Sequence, residues 1–279
     1  RDEFYADARF ADLFAAVKRA PNALAATLAA QPGVAEVQTT VEQMVRVELP
    51  GVSDPILGQL IGMDAQHPFS LNRVSLASGR ALDGAGVRRG DGSLEVLVSE
   101  GFAQARGLKP GSTLKALVNG RQRTLIVVGT ALSPEFVFAG LWGMPDLRGF
   151  GIFWMDREAL ASAYDMNGAF NRIAFRLAPG ASERAVIDAL SRLLAPYGGR
   201  QVNGRADQIS HAMLDNEIKE QRVLGTVLPA IFLGVAAFLL NVVVSRLVAT
   251  QREQIAALKA LGYPNRDIAA HYLKLVLLI

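Results

Sequence analysis

Cysteine is absent from the 279-residue chain, and histidine occurs only three times. The absence of cysteine excludes disulfide scaffolds, thiolate nucleophiles, zinc ribbons and iron–sulfur clusters. The histidines (His67, His211 and His271) are far apart, and the sequence has no H-E-x-x-H or other metal-ligand spacing. We therefore expect no metal site and no metal-dependent chemistry.

Charged residues are also scarce, at 20% of the chain against 51% hydrophobic residues. This composition excludes intrinsic disorder, because the chain can bury ample apolar surface, and the length suits one or two folded units. Residues 1–222 contain 24 basic and 24 acidic side chains, whereas residues 223–279 contain five basic and two acidic ones. A nucleic-acid-binding domain would carry excess basic charge on its folded part, so we expect no nucleic-acid partner.

Motifs for catalysis are missing as well. Gly107–Thr113 reads GLKPGST, which lacks the Gly-Lys-Ser/Thr of a phosphate loop. Ser99 lies in LVSEG, without the first glycine of a nucleophile elbow, and is expected to end a strand and cap a helix. We predict that the chain is not an enzyme and binds no cofactor itself.

A long uncharged run is present from Val223 to Ser245, between Arg222 and Arg246. Its 23 residues would form about 35 Å of helix, enough to cross a hydrocarbon core of about 30 Å. The alternative is a buried core helix, but such helices rarely exceed about 20 residues without a polar face. Pro229 is compatible with a membrane helix. We predict a transmembrane helix over residues 223–245.

The basic residues around this run indicate its orientation. Four follow it (Arg246, Arg252, Lys259 and Arg266) and three precede it (Arg205, Lys219 and Arg222). Cytoplasmic flanks carry the excess of Lys and Arg, so we place residues 1–222 outside the cytoplasm and residues 246–267 inside. Residues 268–279 are apolar enough to begin a second span, but 12 residues cannot complete one.

The extracytoplasmic part is predicted to alternate helices and strands at both of its ends. Its first end has a helix over Pro21–Ala30 and a strand or hairpin arm over Val34–Leu49, with a βαβ-like opening if Phe10–Val17 is extended. At its other end we predict a strand over Gly151–Trp154, a helix capped by Asp156 through Tyr164, a strand over Asn171–Leu177 and a helix over Ser182–Leu194 capped by Ser182.

The middle, residues 50–149, is richer in strand and turn signals. Leu114–Val118 and Arg123–Val128 flank Asn119-Gly120, which favours a two-residue type I′ hairpin. Asp83–Gly92 is predicted to be a polar hairpin or loop. From Ala206 to Arg222 the pattern is helical and reaches the membrane run without a break, which predicts a continuous stalk helix.

These patterns give an α+β fold class, with a β-rich insertion in an α/β domain followed by a stalk and a transmembrane helix. The predicted division is 1–49 and 150–205 for the two halves of the α/β part, 50–149 for the insertion, 206–222 for the stalk, 223–245 for the transmembrane helix, 246–267 for a cytoplasmic segment and 268–279 for the start of the next span.

Two segments are candidates for function. Phe136–Phe150 (FVFAGLWGMPDLRGF) concentrates aromatic residues among glycines, and aromatic side chains in a long loop can mark a partner or substrate contact or can pack beneath the loop. Its candidate contact residues are Phe136, Phe138, Trp142 and Met144.

The second segment, Gln251–Gly262, is predicted to be a short helix that ends at Gly262, before a turn at Tyr263-Pro264. Ile255, Leu258 and Leu261 share one face, and Arg252, Glu253 and Lys259 surround the other. Such a helix could lie on lipid, which favours a basic polar face, or dock into a protein groove.

The region from Arg222 to Ile268 resembles the FtsX-like permease family, whose members are membrane subunits of ABC transporters. The matching positions of the family's signature are Arg252, Glu253, Ile255, Leu258, Lys259, Ala260, Leu261 and Gly262. Gln254 stands where many members have glutamate. The first 200 or so residues are similar to the family's MacB-like periplasmic core, in which a porter-like α/β part carries a β-rich insertion.

The resemblance implies a permease subunit of a mechanotransmission-type ABC transporter, paired with a separate ATPase that binds the ATP and docks on residues 252–262. It also implies a multi-pass protein of the bacterial inner membrane, a homodimeric or pseudo-dimeric permease, a periplasmic adaptor as a further partner, and chain beyond both Arg1 and Ile279. A sensory receptor or kinase with an extracytoplasmic ligand domain is the alternative. The residues do not indicate which substrate is transported.

Overall fold

The computed structural model describes residues 2–52, 56–83, 92–141 and 144–277, and the chain divides into two compact units, residues 1–215 and 216–279. The strands of the described residues are β1 Leu13–Pro21, β2 Val34–Thr40, β3 Glu42–Glu48, β4 Ile56–Met63, β5 Ser75–Gly79, β6 Leu94–Ser99, β7 Thr113–Val118, β8 Arg121–Leu132, β9 Gly140–Leu141, β10 Met144–Pro145, β11 Phe150–Asp156, β12 Ala169–Leu177 and β13 Asn203–Gly204. The helices are α1 Asp2–Asp7, α2 Leu24–Ala29, α3 Glu100–Arg106, α4 Arg157–Ala163, α5 Glu183–Leu194, α6 Ile209–Thr250, α7 Arg252–Ala260 and α8 Asn265–Leu277.

The first sheet of the first unit has four antiparallel strands in the order β13-β1-β12-β2. Helix α2 connects β1 to β2, and α5 connects β12 to β13. Numbered by their order along the chain, the four strands therefore lie 4-1-3-2, which is the ferredoxin-like arrangement of two βα units. The α/β part is thus assembled from the two ends of the unit, as the sequence predicts.

The core of this ferredoxin-like sheet is formed by the apolar faces of α2 and α5. Val186, Leu190 and Leu194 recur every four residues along α5 and are buried against Phe170 and Phe175 of β12. Ser182 occupies the N-cap position of α5, but its side chain makes no capping hydrogen bond, and the same holds for Ser99 before α3. Asp156, in contrast, caps α4 as predicted, because its Oδ1 accepts from the Ala159 N–H at 2.8 Å.

The second sheet closes into a small β-barrel. Its strand order is β5-β8-β6-β11-β4-β3-β7, and β8 also pairs with β7, so six strands form a ring and β5 lies outside it on β8. Closure is possible because β8 is 12 residues long and pairs with both β6 and β7, the two strands next to it in the ring. The turn between β7 and β8 is the predicted one, with positive φ at Asn119 (44°) and Gly120 (74°). Of the predicted loop Asp83–Gly92, residues 84–91 lie outside the described part.

Strand pairing divides the unit differently from the predicted boundaries at residues 49 and 150. β3 and β11 are both barrel strands, with β11 parallel to β4 and β3 antiparallel to it. The chain leaves the ferredoxin-like sheet at Val41, the single residue that connects β2 to β3, and the Val41 side chain is fully buried. The alternating pattern of residues 34–49 predicts extended structure but carries no signal for which sheet a strand joins.

The helix α6 is a single 42-residue element that contains the predicted transmembrane run. It begins at Ile209, after a 3₁₀ turn at Arg205–Asp207, and so starts three residues later than the predicted stalk. Among the described residues, Ser210–Thr250 is the one helix long and apolar enough to cross a membrane, with a mean hydropathy of 2.6 in its most apolar window and none of that window buried. The remainder of the second unit consists of α7 and α8.

Candidate functional site

The candidate coupling helix α7 follows α6 after a single residue, Gln251. It ends in a Schellman motif, because the Tyr263 N–H donates to the Leu258 carbonyl at 3.2 Å and the Gly262 N–H to the Lys259 carbonyl at 3.1 Å. Gly262 has φ +91°, a left-handed conformation that favours glycine. The signature glycine therefore has a backbone role, which is to stop α7 and turn the chain into α8.

Five of the predicted docking residues lie on α7, and the other two, Leu261 and Gly262, follow its last residue, Ala260. Ile255 and Leu258 are half-buried, and Leu261 is 76% exposed, although its side chain is purely apolar. Arg252, Glu253 and Lys259 are exposed. Leu261 therefore has most of its apolar surface in solvent at the C-terminal end of α7.

The aromatic loop contains a minimal hairpin, in which β9 pairs with β10. Phe136 packs edge-on against the buried Trp154, with 6.2 Å between ring centroids, and Phe150 is 4% exposed. Phe138 is half-buried, whereas Met144 is 69% exposed. Trp142 lies outside the described residues. For Phe136 the structure therefore favours packing beneath the loop, and among the three candidate residues that the structure describes Met144 is the most exposed.

The base of α6 is hydrogen-bonded to the start of this loop. Ser210 Oγ donates to the Glu135 carbonyl at 2.9 Å and accepts from the Phe138 N–H at 3.2 Å. Gln208 Nε2 donates to the same Glu135 carbonyl at 2.7 Å, and Gln208 Oε1 accepts from the His211 N–H at 2.8 Å. Gln208, just before α6, and Ser210, in its first turn, thus hold residues 135–138 through side-chain hydrogen bonds.

Arg205, just before α6, joins this base to the beginning of the ferredoxin-like sheet. Its guanidinium donates to the Ala11 and Phe10 carbonyls and to Asp12 Oδ1, at 2.9, 2.7 and 2.6 Å, and it lies 5.3 Å from the centre of the Phe10 ring. The Tyr5 ring of α1 in turn lies 5.6 Å from the His211 ring. Charge-assisted bonds of this kind are about twice as strong as neutral ones, so Arg205 fixes the direction from which the chain enters α6.

An ionic cluster lies behind the Glu135 carbonyl, in which the carboxylates of Glu42 and Glu135 are only 11% and 12% exposed while the Arg172 side chain is 38% exposed. Arg172 Nη2 is 3.9 Å from Glu135 Oε1, and Arg172 Nε is 3.5 Å from Glu42 Oε2. Asn72 Nδ2 donates to Glu135 Oε2 at 2.8 Å. Burial, aided by the negative charge of Glu42, raises the pKa of Glu135 to about 7, against the opposing effects of Arg172 and the Asn72 hydrogen bond. Sequence reasoning missed this cluster because its members are spread from residue 42 to residue 172 and form no local motif.

Titratable side chains do not converge elsewhere into a metal site: within residues 2–52, 56–83, 92–141 and 144–277, no group of three or more His, Asp or Glu side chains could hold a metal ion. The features that stand out are instead a structured helix with an exposed apolar end, a long apolar helix, and the polar anchor at the base of that helix.

Comparison with known proteins agrees with these features. Residues 6–193 match the family model of the MacB-like periplasmic core domain, and residues 226–279 match the FtsX-like permease C-terminal region. Comparison with curated protein sequences gave no significant match.

Among solved structures, the chain is similar to the periplasmic region of MacB from Actinobacillus actinomycetemcomitans, with 13% identity, a TM-score of 0.44, and coverage of 78% of this chain and 96% of that one. It is also similar to the extracellular domain of the ABC-type transporter YknZ from Gram-positive bacteria, with 13% identity, a TM-score of 0.44, and coverage of 70% and 99%.

The match to the MacB-like periplasmic core domain spans well over half of the chain, and the match to the FtsX-like permease region covers α6 from residue 226 together with the α7 signature. FtsX-like permeases are non-catalytic and work with ABC ATPases. This chain is therefore a membrane protein of the MacB-like periplasmic core domain family that carries an FtsX-like permease region, with the domain architecture of an ABC transporter permease.

Proposed function

We propose that the chain couples ATP hydrolysis by a separate ATPase to movement of its extracytoplasmic domain, as the permease subunit of a mechanotransmission-type ABC transporter. The observation that carries the proposal is the continuity of α6, which runs from the anchored Ser210 to Thr250 without a break in helical structure. Forty-two residues span about 60 Å at about 1.5 Å per residue. A helix of this kind, fixed at one end, can carry a displacement from one side of a membrane to the other.

The cytoplasmic end of the relay is α7. We assign ATPase docking to Arg252, Glu253, Ile255, Leu258, Lys259, Leu261 and Gly262. Burial of a leucine side chain in a protein groove is worth about 1.5–3 kcal/mol, and Leu261 has most of its surface available for such burial. Because α7 begins one residue after α6 ends, a force on α7 reaches α6 through a very short connection.

The extracytoplasmic end of the relay is the loop that begins at Glu135. Ser210 bonds to both Glu135 and Phe138, so a displacement of the first turn of α6 moves this loop directly. We assign contact with a substrate or a periplasmic adaptor to Phe138, Trp142 and Met144 of the segment Phe136–Phe150. Phe136 supports the loop from below, since it packs on Trp154.

The proposed coupling role also implies a location in the membrane, an assembly and a site for ATP. The chain is placed in the bacterial inner membrane as part of a multi-pass, homodimeric or pseudo-dimeric permease, with α8 beginning the next span. ATP is held by the partner ATPase, and this chain supplies no cofactor site. The transporter that contains this permease would export a substrate, extract a lipid or lipoprotein, or control a hydrolase. The FtsX-like match, which begins within the apolar run and continues through α7 and α8, favours this reading over a sensory receptor.

The experiment that tests the proposal is Leu258→Glu in the full-length permease, co-expressed with its ATPase. The substitution removes an apolar contact and places a charge in the groove, so co-purification of the ATPase and stimulation of its activity should fall at least tenfold. Ala256→Glu is the matched control, because it adds the same charge to the opposite face of α7, where residue 256 is exposed. Equal behaviour of the two variants would mean that α7 lies on lipid and that the coupling proposal is wrong.

A further inference from the structure

Glu135 is a point where three parts of the first unit meet. It lies on a 3₁₀ turn at Pro134–Phe136, only 12% of its side chain is exposed, and its neighbours Arg172 and Glu42 belong to the ferredoxin-like sheet and to the barrel. Two carboxylates therefore share one guanidinium in a poorly solvated place. If both are ionised, one negative charge is left without a partner cation, which is costly away from water.

The same residues enclose a small polar cavity of about 20 Å³, lined by Glu42, Glu135, Arg172 and Trp154 among others. That volume has room for about one water molecule. Trp154 Nε1 and Arg172 Nε are buried, and neither has a hydrogen-bond partner within the described part of the chain. Arg172 Nε lies 3.5 Å from Glu42 Oε2, so its contact with Glu42 is an ion pair without hydrogen-bond geometry.

The side chain and the main chain of Glu135 hold different elements. Its carboxylate accepts from Asn72 Nδ2, and Asn72 Oδ1 accepts from the Ala11 N–H at 2.8 Å, so the side chain is linked to the segment between α1 and β1. Its carbonyl accepts from Ser210 and Gln208 at the base of α6. A small movement of the Glu135 turn would thus displace both the segment between α1 and β1 and the base of α6.

We propose that Glu135 is a proton-controlled latch that holds the base of α6 against the ferredoxin-like sheet and the barrel. With its proton, Glu135 is neutral, Arg172 pairs with Glu42, and the turn keeps its bonds to Ser210 and Gln208. When the proton is lost to solvent, Glu135 and Glu42 compete for Arg172, their repulsion favours entry of water into the cavity, and the turn loosens. Protonation closes the latch, and deprotonation opens it.

The raised pKa of Glu135, about 7 against an ordinary value of 4.5, supports the latch and fixes its direction. The folded unit retains this proton between pH 4.5 and about 7 while the unfolded chain does not, so the contribution of Glu135 to stability is full below pH 4.5 and declines as pH rises to about 7. Other titratable groups around it are Glu42, Arg172 and, next to Ser210 on α6, His211. Arg9, whose carbonyl accepts from the Asn72 N–H, is engaged by Glu36 at 2.6 Å.

Trp154 provides a direct reporter, because it lines the same cavity. In the full-length protein in nanodiscs, with every other tryptophan replaced by phenylalanine, Trp154 fluorescence should change with a midpoint near pH 7. Glu135→Gln should abolish the transition, and Glu36→Gln, which removes a carboxylate from another ion pair of the same unit, should leave it intact. Glu42→Gln removes the competing charge and should move the midpoint to lower pH.

A flat titration, or one unchanged in Glu135→Gln, would overturn the latch, as would a transition that disappears only in His211→Gln. If Glu135→Gln does not fold, the Glu42→Gln shift decides, and an unshifted midpoint contradicts the proposal. Hydrogen exchange at the Phe138 amide, corrected for intrinsic rate, should be at least threefold faster at pH 8 than at pH 6. The effect on transport rests on the proposed role of α6, but the fluorescence and exchange results do not depend on ATPase docking.

Discussion

The side chain of Asn171 hydrogen-bonds both backbone polar groups of Glu42. Asn171 Oδ1 accepts from the Glu42 N–H at 2.8 Å, and Asn171 Nδ2 donates to the Glu42 carbonyl at 2.7 Å. Asn171 belongs to β12 in the ferredoxin-like sheet, whereas Glu42 is the first residue of β3 in the barrel. One amide therefore joins the two sheets where the chain passes from one to the other.

Asn171→Ala should destabilise the first unit by about 1–3 kcal/mol, because it leaves a backbone donor and acceptor of Glu42 without partners. Pulse proteolysis of the purified protein across a urea series would measure the free energy of unfolding. Asn167→Ala is the matched control, since that residue is exposed and its Oδ1 accepts from Ser162 Oγ at 3.1 Å, and we expect it to cost less than about 0.5 kcal/mol. Equal costs would show that the Asn171 bridge contributes nothing specific.

The two sides of the membrane can be distinguished by labelling, because the natural chain has no cysteine. Arg192→Cys on α5 and Glu253→Cys on α7 both replace exposed residues. An impermeant maleimide added to intact spheroplasts should label residue 192 alone, and inverted vesicles should give the reverse. Labelling of both positions from one side would refute the topology.

The end of α7 should depend on glycine at position 262. Gly262→Ala places a Cβ at φ +91°, which costs about 1–2 kcal/mol, so ATPase affinity should fall about fivefold or more. Asparagine tolerates the left-handed region better, and Gly262→Asn should therefore retain most of the affinity. Affinity can be measured by titrating the ATPase onto permease in nanodiscs. If Ala and Asn behave alike, the Schellman end of α7 is not needed for docking.

The aromatic loop should separate into packing and contact residues. Phe136→Ala should lower stability by about 2–3 kcal/mol, because the ring packs on Trp154 in a buried cluster. Met144→Ser, at a position that is 69% exposed, should leave the thermal midpoint within about 2 °C while reducing transport or adaptor capture. A transport-competent Met144→Ser variant would remove Met144 from the contact surface.

Local sequence patterns were sufficient for the elements whose structure depends on near neighbours. The 23 uncharged residues from Val223 to Ser245 require a helix in a membrane, because only a helix satisfies their backbone groups there. Gly262 ended α7 and Asn119-Gly120 made the hairpin turn, since each supplies a positive φ that most residues resist. The α/β elements at both ends of the first unit were predicted for the same reason, from apolar spacing along short segments.

Tertiary structure alone decided which strands join which sheet and which polar residues meet. The apolar patterns of β3 and β11 fit strands of either sheet, and only their pairing with β4 places both of them in the barrel. Glu42, Asn72, Glu135 and Arg172 come from four separate elements, so their separations of 30 to 130 residues leave no periodic signal. The sequence by itself determined a membrane-anchored α+β permease subunit. The burial of two carboxylates around one arginine at the base of α6 arose only when distant segments folded together. Burial and charge pairing depend on contacts that no local pattern encodes.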